Sequence, residues 1–301
     1  MQAAPAIDPM TPQPLPPLDA SMDASKNHYW TYHDLPTLLA CKKPLTASHD
    51  EDLFIAVHQV CELAFHQMLI DLRRALDAWR DAMSAPADGV IDSTDEVRYF
   101  LKRVVQLWRT VNTTMPILNG LRAFAEFRTS IGPTSGFQSV QFRHLEIMSG
   151  VPRAYWRGGT ADAQGTLHVA ETEFERVHGA SIRSWLDEHR EHSLRHHYLA
   201  LMASTAGADA AERLATAQAH AQVAPLLALL AQFDRAQTTF HRAHLHLASV
   251  QLRKVGADTG TGGTSYRDYL ARYERELAPL FPGLEAMTDP SAPESIDAPD
   301  D

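Results

Sequence analysis

Three histidines, His241, His244 and His246, crowd one apolar stretch, "FHRAHLHLASVQLRK", which runs into the glycine-rich sequence "GADTGTGGTSY". Imidazoles at this density on an apolar helix are candidate ligands for a metal or a cofactor. At about 100° per residue, His244 and His246 point roughly 160° apart, so a regular helix aims at most one of them at a single metal. A second imidazole, His58, sits in "LFIAVHQVCEL", one turn after Phe54 and one turn before Glu62. Alone it reads as a core group. Arg128 precedes a Gly-Pro turn in "EFRTSIGPTSGFQ", where a guanidinium can fork two hydrogen bonds onto a carboxylate. Ser135 and the backbone N–H groups around it suit a polar or anionic ligand. Thr261 and the glycines beside it have the makings of a lid over an anion.

Other clusters carry less. "HSLRHH" sets His192 and His196 four residues apart, but no HExxH context accompanies them, and the stretch reads as a solvated helix face. The ExxH from Glu175 to His178 lacks the second copy that a di-iron bundle requires. There is no Walker loop, no GxGxxG after a strand and no GxSxG.

The elements that must position these groups are helical. Phe54, Val57, Cys61, Phe65, Met68, Leu72, Leu76 and Trp79 recur at steps of three and four and predict a long helix from about Glu51 to Met83, with Ser48 and Asp50 as caps. "SAPADGVIDS" breaks the chain, and the capping-box spacing of Ser93 and Glu96 predicts the next helix, through Val104, Leu107 and Val111. Further helices are expected over 137–148, 171–191, 208–230 and 233–254, with Pro225 starting or kinking one of them. Period-two alternation is nearly absent. The fold class is all-α, a helical bundle around one core. Residues 1–27, Pro-rich and acidic, read as a disordered arm, 28–287 as a single domain, and 288–301 as a disordered acidic tail.

A net charge of −10 argues against non-specific nucleic-acid binding and against an anionic membrane surface. Two cysteines, Cys41 and Cys61, the absence of a basic-then-apolar start and of a stretch of about 18 apolar residues lead to a cytoplasmic expectation.

Four blocks, in the order "YWTYHDL", "HDEDLFIAVHQVCEL", "FRTSIGPTSGFQSVQFRHLE" and "GADTGTGGTSYRDYL", resemble the tryptophan 2,3-dioxygenase family from about Tyr29 to Leu270. The resemblance implies an all-α fold around non-covalent haem b and insertion of both atoms of O2 across the indole C2–C3 bond of L-tryptophan or a substituted tryptophan, giving the N-formylkynurenine. It also implies a homotetramer or homodimer in which an N-terminal segment lines a neighbour's site. By motif, His58 matches the distal histidine that hydrogen-bonds the indole N–H or the oxygen. Phe54 packs on the indole, Arg128 clamps the substrate carboxylate, and Thr261 meets the ammonium and carboxylate. Ser135 lies near the haem edge, and Tyr29 and Tyr32 match the aromatic pair of the N-terminal segment.

Three departures stand out. The family's axial histidine falls nine residues before the glycine matching Gly256, where Leu247 stands here. His246 is one residue early, and aligning it requires an inserted residue before Arg253, of the kind absorbed as a π-bulge. His246 is thus the expected iron ligand, with His244 the alternative. Phe124 occupies a position the family often fills with tyrosine, at the edge of the substrate site, and Ala64 replaces the tryptophan of "ELWF". These changes keep open a haem mono-oxygenase that hydroxylates an aromatic amino acid such as tyrosine, and less readily a non-catalytic haem sensor.

Overall fold

A computed structural model describes residues 27–84, 90–130, 139–151, 159–161, 167–169, 173–256 and 279–287. Ser135 and Thr261, and with them the Gly-Pro turn and the glycine-rich loop, lie outside the described residues. In chain order the helices are α1 (His28–Tyr32), α2 (Leu35–Ala40), α3 (His49–Ser84), α4 (Val90–Thr114), α5 (Phe124–Phe127), α6 (Val140–Ser149), α7 (Glu173–Glu188), α8 (Leu194–Ser204), α9 (Ala210–Ala219) and α10 (Val223–Lys254). Between α6 and α7, strands β1 (Gly159–Ala161) and β2 (Leu167–Val169) pair antiparallel, a hairpin that the sequence pattern did not signal. The molecule is otherwise the expected all-α bundle.

The core follows from helix periodicity. α3 turns Val57, Cys61, Phe65, Met68, Leu72, Leu76 and Trp79 inward, and α4 meets them with Val97, Leu101, Val104, Trp108 and Val111. α10 packs across α4, and α6 lies on α3. Trp108, fully buried, is surrounded by Phe65, Phe233 and Phe240 at ring-centroid distances of 5.9, 6.4 and 5.4 Å. α3 contains a window apolar enough to cross a bilayer. It nonetheless buries Asp71, whose carboxylate meets Arg103 at 3.1 Å, as a core helix does.

Several local details differ from expectation. α4 begins at Val90, three residues before the proposed Ser93 cap. α6 begins at Val140, capped by Ser139, whose Oγ accepts from the Phe142 N–H at 3.1 Å. It ends at Gly150 with φ +87°, where a Cβ would come within 2.5 Å of the Arg195 Cβ, so glycine lets α6 abut α8. α9 and α10 meet at a sharp bend, and Pro225 sits in the first turn of α10, where its missing N–H costs nothing. In "HSLRHH" His196 is exposed, as a solvated face requires, but His192 is half-buried. His192 precedes α8 and accepts at Nδ1 from the buried His197 (3.1 Å), while its Nε2–H donates to Asp77 of α3 (3.2 Å). Among the described residues no group of three or more potential metal-binding side chains stands together.

Candidate active site

Phe54 and His58 project from the first turns of α3. Their rings lie 4.1 Å apart, and Phe54 also meets Phe127 at 5.4 Å and Phe124 at 6.1 Å. Phe124 packs edge-on against Phe127 at 5.4 Å. The result is an apolar aromatic wall with one imidazole in it. His58 Nδ1 lies 2.7 Å from the Phe54 carbonyl oxygen. A carbonyl only accepts, so Nδ1 carries the proton and, in the neutral ring, Nε2 keeps its lone pair. Burial lowers the His58 pKa from its ordinary value, and this outweighs the Phe54 hydrogen bond and the Glu62 charge that work the other way. The ring is therefore a neutral acceptor at neutral pH.

Across from it, α10 presents His244. This ring lies 5.7 Å from Phe240, and its pKa is pushed down to about 4, first by burial, then by the neighbouring His58 and Arg143. It nonetheless keeps some accessible surface. His246 is exposed on the outer face of α10. The helix is α-helical from Val223 to Lys254, so the expected π-bulge is absent and nothing swings His246 inward. Leu247, at the position where the family carries its histidine, is buried in the core. Of the two alternatives, His244 is the one brought to the side of His58.

Arg128 caps the short helix α5, its N–H donating to the Phe124 carbonyl at 3.0 Å. What holds α5 is polar chemistry that the pattern of apolar residues hides. Asp50 does not cap α3. Its Oδ2 instead accepts from the backbone N–H groups of Arg122 and Ala123, both at 2.6 Å. Burial opposes the charge, but those two N–H groups prevail and hold the Asp50 carboxyl below the usual range. Glu51 binds the preceding loop in the same way, through Leu45 N, Thr46 N and the Thr46 hydroxyl. From the other side, Gln251 Nε2 donates to the Leu118 carbonyl (2.6 Å) and Lys254 Nζ to that of Leu121 (2.7 Å). The start of α3 and the end of α10 thus grip the chain just ahead of Phe124 and Arg128. The only hint in the sequence is the acidic run "HDED", which reads equally well as helix-dipole compensation.

Tyr29 and Tyr32 stand apart from this cleft. They are 65% and 85% exposed on α1, which buries no residue of its own.

Known proteins resemble this chain over most of its length. A sequence profile described as tryptophan 2,3-dioxygenase matches residues 18–188, more than half of the chain. A tryptophan 2,3-dioxygenase from a Nocardioides species is 31% identical over 273 residues, covering 86% of this chain and 93% of the relative. One from Burkholderia ambifaria is 29% identical over 282 residues (88% and 85%). The tryptophan 2,3-dioxygenase 1 of Ralstonia nicotianae is 28% identical over 283 residues (88% and 89%). The chain belongs to the tryptophan 2,3-dioxygenase family and is an enzyme of that type.

Proposed function

We propose that this enzyme uses haem b to insert both atoms of O2 across the indole C2–C3 bond of L-tryptophan or a ring-substituted tryptophan, releasing the N-formylkynurenine. The observation that carries the reading is the pairing of two neutral imidazoles, His58 on α3 and His244 on α10, at one cleft walled by Phe54, Phe124 and Phe127. The residues fit a haem. Iron takes a neutral imidazole, and His244, pushed down to about 4, is in that form throughout the physiological range. His244 is therefore our assignment for the axial ligand in place of His246.

When bound, haem supplies the O2 chemistry at its iron. The chain's own residues select and orient the amino acid. His58 Nε2, as an acceptor, takes the indole N–H. A phenol O–H is equally a donor to that nitrogen, so the separation of tryptophan from tyrosine falls to the shape of the aromatic wall. Phe54, 4.1 Å from His58, stacks against the ring so that it lies beside the imidazole. Arg128 receives the substrate carboxylate, a charge-assisted pair that fixes the Cα end. The aromatic wall excludes water from the reacting ring. Ser135 and Thr261 belong to this reading by motif. Tyr29 and Tyr32, exposed here, are read as the contribution of one copy to the site of a neighbour in a homo-oligomer. A cytoplasmic enzyme is the corresponding proposal for its location.

The test starts anaerobically. The haem-loaded protein is reduced, mixed with L-tryptophan and O2, and its product weighed. A product heavier by two oxygen atoms supports the proposal. Addition of a single oxygen to tryptophan or tyrosine replaces it with the mono-oxygenase reading. Haem binding without any product from tryptophan, substituted tryptophans or tyrosine overturns both.

A further inference from the structure

A cavity of about 520 Å³ opens between α6, α7 and α8, and none of Phe54, His58, Phe124, Arg128 or His244 lines it. Its polar side is formed by Arg183 and Asp187 of α7, Arg190 just beyond that helix, and Ser193 and Arg195 at the start of α8. Its apolar side is Ile147 on α6, Leu186 on α7 and Leu199 on α8. The volume is that of a site for a small organic molecule.

The charges around this cavity do not balance. Three guanidiniums face it, and Asp187 is the one carboxylate among the described lining residues, which leaves two positive charges in a chain whose net charge is −10. Asp187 pairs with Arg190 at 2.6 Å, but both side chains are exposed, so the pair is weak and opens readily. Arg195 Nη1 donates to the carbonyls of Pro279 (2.9 Å) and Leu280 (2.6 Å), which solvate its charge without cancelling it.

Exposed arginines alone mark nothing. The buried end of the cavity is more specific. Ser193 is 4% exposed, and its Oγ accepts from the His196 N–H at 3.3 Å, while its own proton has no acceptor among the described residues. Beside it, the first turn of α8 leaves the Leu194 and Arg195 N–H groups without intrahelical acceptors, at the positive end of an 11-residue helix. Gly150 faces this turn, and a Cβ there would come within 2.8 Å of the Ser193 Oγ, so glycine keeps the hydroxyl open. A hydroxyl donor, backbone N–H groups and guanidiniums converging beside an apolar wall form a receptor for an oxyanion that carries an apolar group.

We propose that this cavity binds an organic phosphate monoester, with its head at the first turn of α8 and its apolar body against Ile147, Leu186 and Leu199. A monoester carries about −1.5 to −2 at neutral pH, which matches the excess of two positive charges. The site is independent of the haem reading, and its occupant is a ligand other than the amino-acid substrate.

The test titrates the full chain with phenyl phosphate at low ionic strength in a calorimeter, with inorganic phosphate and benzoate as comparisons. Phenyl phosphate should bind about tenfold or more tighter than inorganic phosphate, which lacks the apolar body, and than benzoate, which lacks the second charge. The double variant Arg183→Ser, Arg190→Ser should weaken it by about tenfold or more. Leu199→Glu, at a 44% exposed position, sets a carboxylate on the lining and should weaken it as well. Arg128→Ala, in the aromatic cleft, should leave it unchanged. The proposal is overturned by the absence of saturable binding, by inorganic phosphate or benzoate binding as tightly, or by an affinity that neither cavity variant alters. Loss of binding in Arg128→Ala with retention in the double variant overturns it too, by moving the phosphate to the aromatic cleft. None of these results bears on haem uptake or on the product formed from tryptophan.

Discussion

Asp50→Ala isolates the grip on the segment that leads into Phe124 and Arg128. Asp50 Oδ2 accepts from two backbone N–H groups, Arg122 and Ala123, both at 2.6 Å. Hydrogen bonds to a charged group are worth about 1.5–3 kcal/mol each, and leaving a buried donor unmade costs about 1–3 kcal/mol. Arg122 is exposed, so water can replace the carboxylate at its N–H. Ala123 is buried, and its N–H has no such replacement. The expected loss is therefore about 2–4 kcal/mol, near the cost of one fully orphaned donor plus part of the second. At about 2–4 °C per kcal/mol for a domain of this size, the thermal midpoint should fall by roughly 4–16 °C. Asp52→Ala is the control. That side chain is 43% exposed and pairs with Lys42 at 3.2 Å, a surface pair worth about 0–1 kcal/mol. Circular dichroism during heating and in urea measures both variants. The functional consequence is separable. Because Phe124 and Arg128 follow directly on the gripped segment, KM for the amino acid should rise in Asp50→Ala while haem affinity holds. If Asp50→Ala melts within about 2 °C of Asp52→Ala, the two bonds do not carry the turn. If it melts early but binds the amino acid normally, Asp50 supports the fold and not the clamp.

His244→Ala should abolish the Soret band on titration with haem, and His246→Ala, which alters an exposed side chain, should bind as wild type; the reverse result would return the ligand to His246. The native protein should release one thiol quickly to a disulfide reagent, because Cys41 is exposed, whereas Cys61 is buried and pushed up to about 12. Two fast thiols would contradict the packing of α3 on α4. Stability should fall as pH drops from about 6.5 towards 4. His144 and His197 are both held near 4 by burial, the first with help from His189 and the second from His192, His196 and Arg80. The unfolded chain takes up protons in that window that the folded chain refuses, at up to about 1.4 kcal/mol per pH unit for each fully shielded group and less for these partly shielded ones. A His144→Gln, His197→Gln double variant should show a flatter urea-unfolding profile over that window, and an unchanged slope would mean that neither ring is shielded in solution.

The long helices were legible because their apolar residues repeat at three and four, and burial rewards that repeat directly. Phe54 and His58 fell on one face of α3 by the same arithmetic. Boundaries were less legible where a polar side chain had two possible partners. Asp50 has the sequence of a cap and the structure of a tether, since the donors to a carboxylate are set by what the fold brings near, here 73 positions away at Ala123. His192 likewise pairs with Asp77 across 115 positions. The β1–β2 hairpin has three-residue strands, too short for alternation to register. Arg143 and Glu146 sit in one of the four blocks and His241 in the histidine stretch, but neither stretch signals that the two meet; only packing joins them.

The choice between His244 and His246 shows how the two kinds of reasoning can conflict. Alignment by motif preserves spacing along the chain and therefore favours the histidine nearest the family's position, at the expense of an inserted residue. Helix geometry preserves angle. Relative to Leu247, which is buried, His246 lies about 100° away and His244 about 60° away in the sense of rotation, so a regular helix that buries Leu247 turns His244 towards the core and His246 out of it. The π-bulge was needed only to rescue the spacing, and α10 shows none. In an uninterrupted helix a ligand can move by three residues and return within about 60° of the same direction, whereas a move of one residue turns it by 100°. A regular helix therefore preserves the face rather than the spacing, and His244, three residues before Leu247, is the histidine that the proposed assignment places on that face.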